Sequence, residues 1–180
     1  MLSQTCHACS IVSKSQSPPL YMAEFHALVT STTPGTIDEA LTIARQWNLT
    51  QQSAALPSVA MLLKDASPFC QHAAAAAIAD MADAGGAALR MSIAVEAQQG
   101  LIALLKCETA TTEVKCEVLG VIASLAADPG SRRAIVKAGD VTVLCQALAG
   151  DGPGDGKVHA AHALCNIAQE QHTRWYQPLV

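Results

Sequence analysis

Residues 119–144 read LGVIASLAADPGSRRAIVKAGDVTVL, and the fold follows from how this stretch is punctuated. An apolar run with helical spacing meets Asp128-Pro129-Gly130, resumes as a short basic segment, and stops again at Gly139. Proline and glycine are the strongest breaks a chain can carry. The stretch therefore predicts a long helix, a short helix and the start of a third. Near the C-terminus, AHALCNIA at 161–168 opens in the same way as LGVIASLA at 119–126. One unit is being used more than once.

Two further segments share that alternation of small and large apolar residues, ALTIARQW at 40–47 and AAAIADMA at 75–82. Ala82 and Ala126 are 44 residues apart, and Ala126 and Ala168 are 42 apart. Both steps fall within the roughly 40–47 residues of two- or three-helix solenoid units. The first step is shorter, so the first unit is degenerate, and either Arg45 or Gln46 fits its ladder position. Within the best unit, Ser131 is expected to N-cap the helix RRAIVKA and Gly139 to end it. A second helix, VTVLCQALA, runs to the loop GDGPGDG at 150–156, and a third starts near Lys157. The third carries an apolar stripe of Ala160, Ala161, Leu164, Ile167 and Ala168, at the spacing of one helical face. Val118, Leu119, Ile122, Leu125 and Ala126 repeat that stripe one unit earlier.

Composition agrees with stacked helices. Of 180 residues, 51% are apolar, 14% charged and 3% aromatic. Disorder over most of the length is excluded, and Ala and Leu must do the packing. The net charge of −4 argues against nucleic acid, which needs clustered Lys and Arg; only Arg132 and Arg133 stand together. The longest purely apolar run, Ala73–Ala79, is far short of a membrane span. Residues 1–23 have no apolar h-region, and they lack the arginines of a presequence. The cytoplasm is the expected compartment, with the nucleus as alternative and the mitochondrion behind both. Seven scattered cysteines then read as buried reduced thiols, not as a disulfide framework.

Smaller constellations carry little chemistry. Cys6 and Cys9 in CHAC have half a zinc-knuckle spacing, but no second such pair follows. His159, His162 and Cys165 share a helix face, yet two imidazoles and a thiol do not close a metal site. DGPGDG at 151–156 lacks the further oxygen donors of a calcium loop. No phosphate-binding, nucleophile-elbow or zinc-protease motif occurs, and no carboxylate pair is placed for acid–base work. No catalysis, metal or cofactor is expected.

The segments AADPGSRRAIVKAGDVTVLCQAL (126–148) and AAHALCNIAQE (160–170) resemble the armadillo repeat family. VEAQQGLIALLK (95–106) and ALPSVAMLLKDASP (55–68) resemble its second helix, so the likeness spans about residues 52–175. It implies an all-α, right-handed α-solenoid of three to four repeats. A disordered segment over 1–20 would precede a repeat domain over 21–180. Its units would fall at about 21–51, 52–98, 99–138 and 139–180, the last incomplete. HTRWYQPLV resembles the opening of a further unit, and an apolar end with Trp175, Tyr176, Leu179 and Val180 would favour self-association.

The resemblance also implies a function. Third helices of this family line a concave groove for extended peptides, often with Asn near their C-terminal ends to hold peptide backbone. Asn166 matches that place, and Ser124 and Asp80 occupy it in the two preceding units. The nuclear-import adaptors carry Trp four residues earlier, where this chain has His162, Gly120 and Ala76. A receptor for nuclear localisation signals is therefore not implied. The expected groove residues are Asp80, Glu117, Ser124, His159, His162 and Asn166. The expected role is a non-catalytic scaffold that binds an extended protein segment, with the acids favouring Lys or Arg in that segment. The alternative is an adaptor or a fragment of a larger armadillo-containing ubiquitin ligase or chaperone cofactor.

Overall fold

A computed structural model describes residues 18–30, 34–64, 67–137, 141–150, 152 and 154–175; of these, the side chains of 18–21, 34 and 170–175 are not described. The described residues form ten helices and no strand: α1 Pro18–Val29, α2 Pro34–Arg45, α3 Leu49–Leu62, α4 Pro68–Ala84, α5 Ala87–Glu96, α6 Gln98–Lys106, α7 Thr112–Ala127, α8 Pro129–Lys137, α9 Val141–Ala149 and α10 Gly154–Trp175. They stack in two layers. In one, α2 packs on α4, α4 on α7 and α7 on α10; in the other, α1 packs on α3, α3 on α5 and α5 on α8. The first layer holds the four repeated segments, so the sequence ladder is a physical ladder of helices.

A single core runs the length of the array, from Phe25 and Val29 in α1 to Ile167 in α10. The alanines of α4 explain how three ladder helices approach so closely. Ala74, Ala75, Ala77 and Ala82 are wholly buried, and a methyl side chain keeps neighbouring backbones near while leaving few voids. The aromatic contribution sits at one end, where the Phe25 and Trp47 ring centroids are 4.9 Å apart.

The helix ends show how the layers are joined. The last carbonyls of a helix have no intrahelical partner, and buried ones need another donor. Each junction after a ladder helix supplies that donor from the next helix. Gln52 Nε2 reaches the Arg45 carbonyl oxygen at 3.1 Å, Arg90 Nε reaches that of Ala82 at 2.9 Å, and Arg132 Nε reaches that of Ala126 at 2.7 Å. Arg132 also donates through Nη2 to the Ala127 carbonyl at 3.1 Å and is itself 8% exposed. Arg90 and Arg132 stand 42 residues apart, so this junction repeats with the unit.

Several boundaries differ from the sequence expectation. Ser131 does not cap α8; it lies inside the helix, fully buried, and Asp128 Oδ2 accepts from its backbone N–H at 3.0 Å. Pro129 supplies the first helical residue, where a missing N–H costs nothing. The last ladder helix begins at Gly154, inside the expected loop, with Asp155 in its first turn to complement the helix dipole. The first four residues of HTRWYQPLV extend α10, which continues to Trp175. No proline or glycine interrupts 168–175, unlike Gly85-Gly86 and Asp128-Pro129-Gly130 at the earlier breaks. The segment expected to be disordered overlaps α1, which starts at Pro18; residues 1–17, with CHAC, lie outside the described residues. So do Gly139 and residues 176–180. The expected unit limit at 51/52 falls inside α3 and that at 98/99 inside α6. The ladder spacing sets the length of a unit but not where a cut is placed.

The 55–68 match to a second helix is also simpler than expected. α3 runs unbroken through Pro57 from a capping box, in which Asn48 Oδ1 accepts from the Gln51 N–H at 3.0 Å and Gln51 Oε1 accepts from the Asn48 N–H at 3.1 Å. Asn48 is thus the N-cap of α3.

Candidate functional site

The exposed side of the ladder carries a hollow of about 530 Å³ between α4, α7 and α10. Its polar lining is Asp83, Glu117, Ser124, His159, His162 and Asn166. Five of the six expected groove residues therefore come together. The helical period puts Glu117, Gly120 and Ser124 on one line of α7, and stacking lays His159, His162 and Asn166 of α10 beside them.

The two lines meet at Gly120 and His159. A Cβ on Gly120 would lie 3.7 Å from His159 Nε2, an ordinary van der Waals contact, so the His159 ring faces Gly120 with room for a methyl group between them. Ser124 donates to Asp83 Oδ1 at 2.5 Å, tying α7 to α4. Asn166, half-buried, has no hydrogen-bond partner among the described residues, and its carboxamide can both donate and accept. Cys116 lies in the floor. Burial pushes its thiol pKa up, and the carboxylates of Asp155 and Glu117 act in the same direction, so it stays neutral.

Asp80 stands apart. Its carboxylate lies 2.9 Å from Arg45 Nε, without the alignment of a hydrogen bond, and it does not line the hollow. Arg45 is therefore the α2 residue that faces the ladder surface, which the sequence left open between Arg45 and Gln46. Asp83 takes the place in the hollow expected for Asp80. It lies three residues beyond Asp80 on the same helix, one turn along, and that spacing was the available signal. Cys165, expected to be buried, is exposed in the lining, and Cys145 is also exposed; of the five described cysteines only Cys70 is buried, and all five are free thiols. Cys165 sits on the ladder face, one position off the apolar stripe. Among the described residues, no group of three or more His, Cys, Asp or Glu is placed to hold a metal ion, and no helix is long and apolar enough to cross a membrane.

A stacked ladder of helices, joined by short second-layer helices and repeating every 42–44 residues, is shared with solved structures. A designed armadillo repeat protein superposes with a TM-score of 0.71 over 93% of this chain and 85% of its own, at 22% identity. This is an armadillo-like repeat fold. A computationally designed armadillo repeat protein for modular peptide recognition is 28% identical, with a TM-score of 0.71 over 85% of this chain and 68% of its own. Another, solved in complex with the peptide (KR)4, is 25% identical, with a TM-score of 0.72 over the same shares. No protein-family model and no curated protein matches the sequence. Armadillo-like packing asks only for small and large apolar residues at set positions, so chains of this fold diverge widely in sequence.

Proposed function

We propose that this chain is a non-catalytic scaffold whose armadillo-like ladder binds an extended, basic segment of a partner protein. The observation that carries this reading is the hollow between α7 and α10, with Asp83 and Glu117 in its lining and no Lys or Arg. Asn166 has the chemistry to hold peptide backbone whatever the ligand's side chains, and the two carboxylates favour lysine or arginine beside it. The similar designed protein bound to (KR)4 supports the same ligand chemistry.

The test is a fluorescence-anisotropy titration with labelled (KR)4. His162→Ala with Asn166→Ala should weaken binding by about 1–3 kcal/mol if a buried backbone contact is lost, with helicity and melting temperature kept. Glu117→Gln should weaken it further and reduce its salt dependence. Unchanged affinity in the folded double variant would place the ligand on another surface.

A further inference from the structure

The hollows of this molecule differ in the charges that line them. The ladder hollow contains acids and no cation, whereas two hollows elsewhere contain lysines and no acid among their lining residues. One, of about 430 Å³, has Leu119 and Val143 among its apolar lining and is flanked by Lys106, Lys115 and Lys157. The other, of about 680 Å³, lies between α5, α6 and α8, involves no ladder helix, and is flanked by Lys106 and Lys137. They adjoin at Lys106. Four of the five lysines whose side chains are described thus edge one continuous surface. None of the four has a carboxylate within ion-pair distance among the described residues.

Fold stability does not explain the whole set. Lys106 and Lys137 lie in the last turns of α6 and α8, where the helix dipole favours a cation. Lys115 and Lys157 lie in the first turns of α7 and α10, where the dipole opposes one. The acids of those turns, Glu113 and Asp155, precede the lysines by two residues. That step points side chains to opposite sides of a helix, and neither acid lines the hollow. Between the lysines the lining is mostly apolar, with Gln98, Gln99 and Gln146 among its polar residues, and Val95 at its edge is 65% exposed.

We propose that this surface is a second docking site, for an acidic amphipathic segment of a partner protein, distinct from the ladder hollow, with which it shares only Cys116 among the lining residues. Apolar anchors would fill the two hollows, and Asp or Glu would meet the lysine edge. Charge complementarity selects such a segment over a basic one, and the alternation of mostly apolar lining and lysine rim selects an amphipathic segment over a uniformly acidic one.

The probe is a fluorescein-labelled helical peptide with a leucine stripe and glutamate elsewhere, compared with the same peptide carrying glutamine for glutamate, which neither proposed site attracts by charge. The full chain should bind the glutamate peptide at least about tenfold more tightly, less so in high salt. Lys106→Glu with Lys115→Glu should abolish that preference, while His162→Ala with Asn166→Ala leaves it intact. Lys106→Glu with Lys137→Glu repeats the test if the first pair lowers the melting temperature. Equal binding of both peptides, or binding that survives both charge reversals, would overturn the proposal. Loss of binding in the His162/Asn166 variant would return the ligand to the ladder face. Sedimentation with phosphatidylserine vesicles that depends on the same lysines, without binding of the glutamate peptide, would assign the surface to lipid headgroups and overturn it as well.

Discussion

Two ladder helices with the same sequence pattern have different fates. In α7, Val118, Leu119, Ile122, Leu125 and Ala126 are all buried. In α10 the equivalent residues divide: Ala160 and Ile167 are buried, Ala161 and Leu164 are half-buried, and Ala168 is exposed. α7 lies between α4 and α10, whereas α10 packs on α7, on α9 and on the second-layer helix α8. Burial in a stacked array belongs to a neighbour on each side, not to the stripe itself. The apolar pattern states what a helix is able to bury. The stack determines what it does bury.

The largest expected effect tests that contrast directly. Leu125→Ala removes a wholly buried side chain and should destabilise the chain by about 3 kcal/mol, while Leu164→Ala should cost about 1 kcal/mol. Urea unfolding monitored by dichroism reads both; equal losses would break the contrast between α7 and α10.

The next effect sharpens it at the junctions. Arg132→Ala removes a charged donor from the carbonyl of buried Ala126 and should cost about 2 kcal/mol, more than loss of the neutral donor in Gln52→Ala at the end of α2, about 1 kcal/mol. A smaller loss for Arg132 than for Gln52 would mean that water satisfies the end of α7.

The smallest concerns Asp128. Its carboxyl pKa is lowered, first by the backbone N–H of Ser131, with the Ser131 hydroxyl, the Gly130 N–H and the charge of Arg90 adding to this against a partial burial. A carboxyl held below its unfolded value contributes stability above the unfolded pKa of about 3.9, and that contribution is lost as pH falls through the lower folded pKa. Asp128→Ala should therefore cost about 1 kcal/mol at neutral pH, and the gap to the parent protein should narrow in acid. A gap independent of pH would show that the cap does not act through its charge.

Much of this was legible in the residues. The 42–44-residue spacing, the breaks at Asp128-Pro129-Gly130 and the apolar stripes identified the helices and their stacking order. They did so because backbone geometry and turn chemistry are local. That five of the six expected residues line one hollow follows from the same period. Asp80 and Asp83 could not be told apart, because the deciding contact comes from Arg45, on a helix 35 residues away in sequence. Ser131 was read as a cap because serine caps helices well; Asp128, three residues earlier, had the stronger acceptor and the proline after it.

By itself, the sequence determined that the chain is a helical repeat, where its ladder helices lie and which of their faces are apolar. Periodicity and helix-breaking residues act within a few turns of chain and need no partner. Only the tertiary structure decided which stripes are fully buried, which polar side chains close the helix ends, that Arg45 withdraws Asp80 from the hollow, and that acids line one hollow and lysines two others. Each of these depends on side chains that are distant in sequence meeting in space, and stacking alone brings them together.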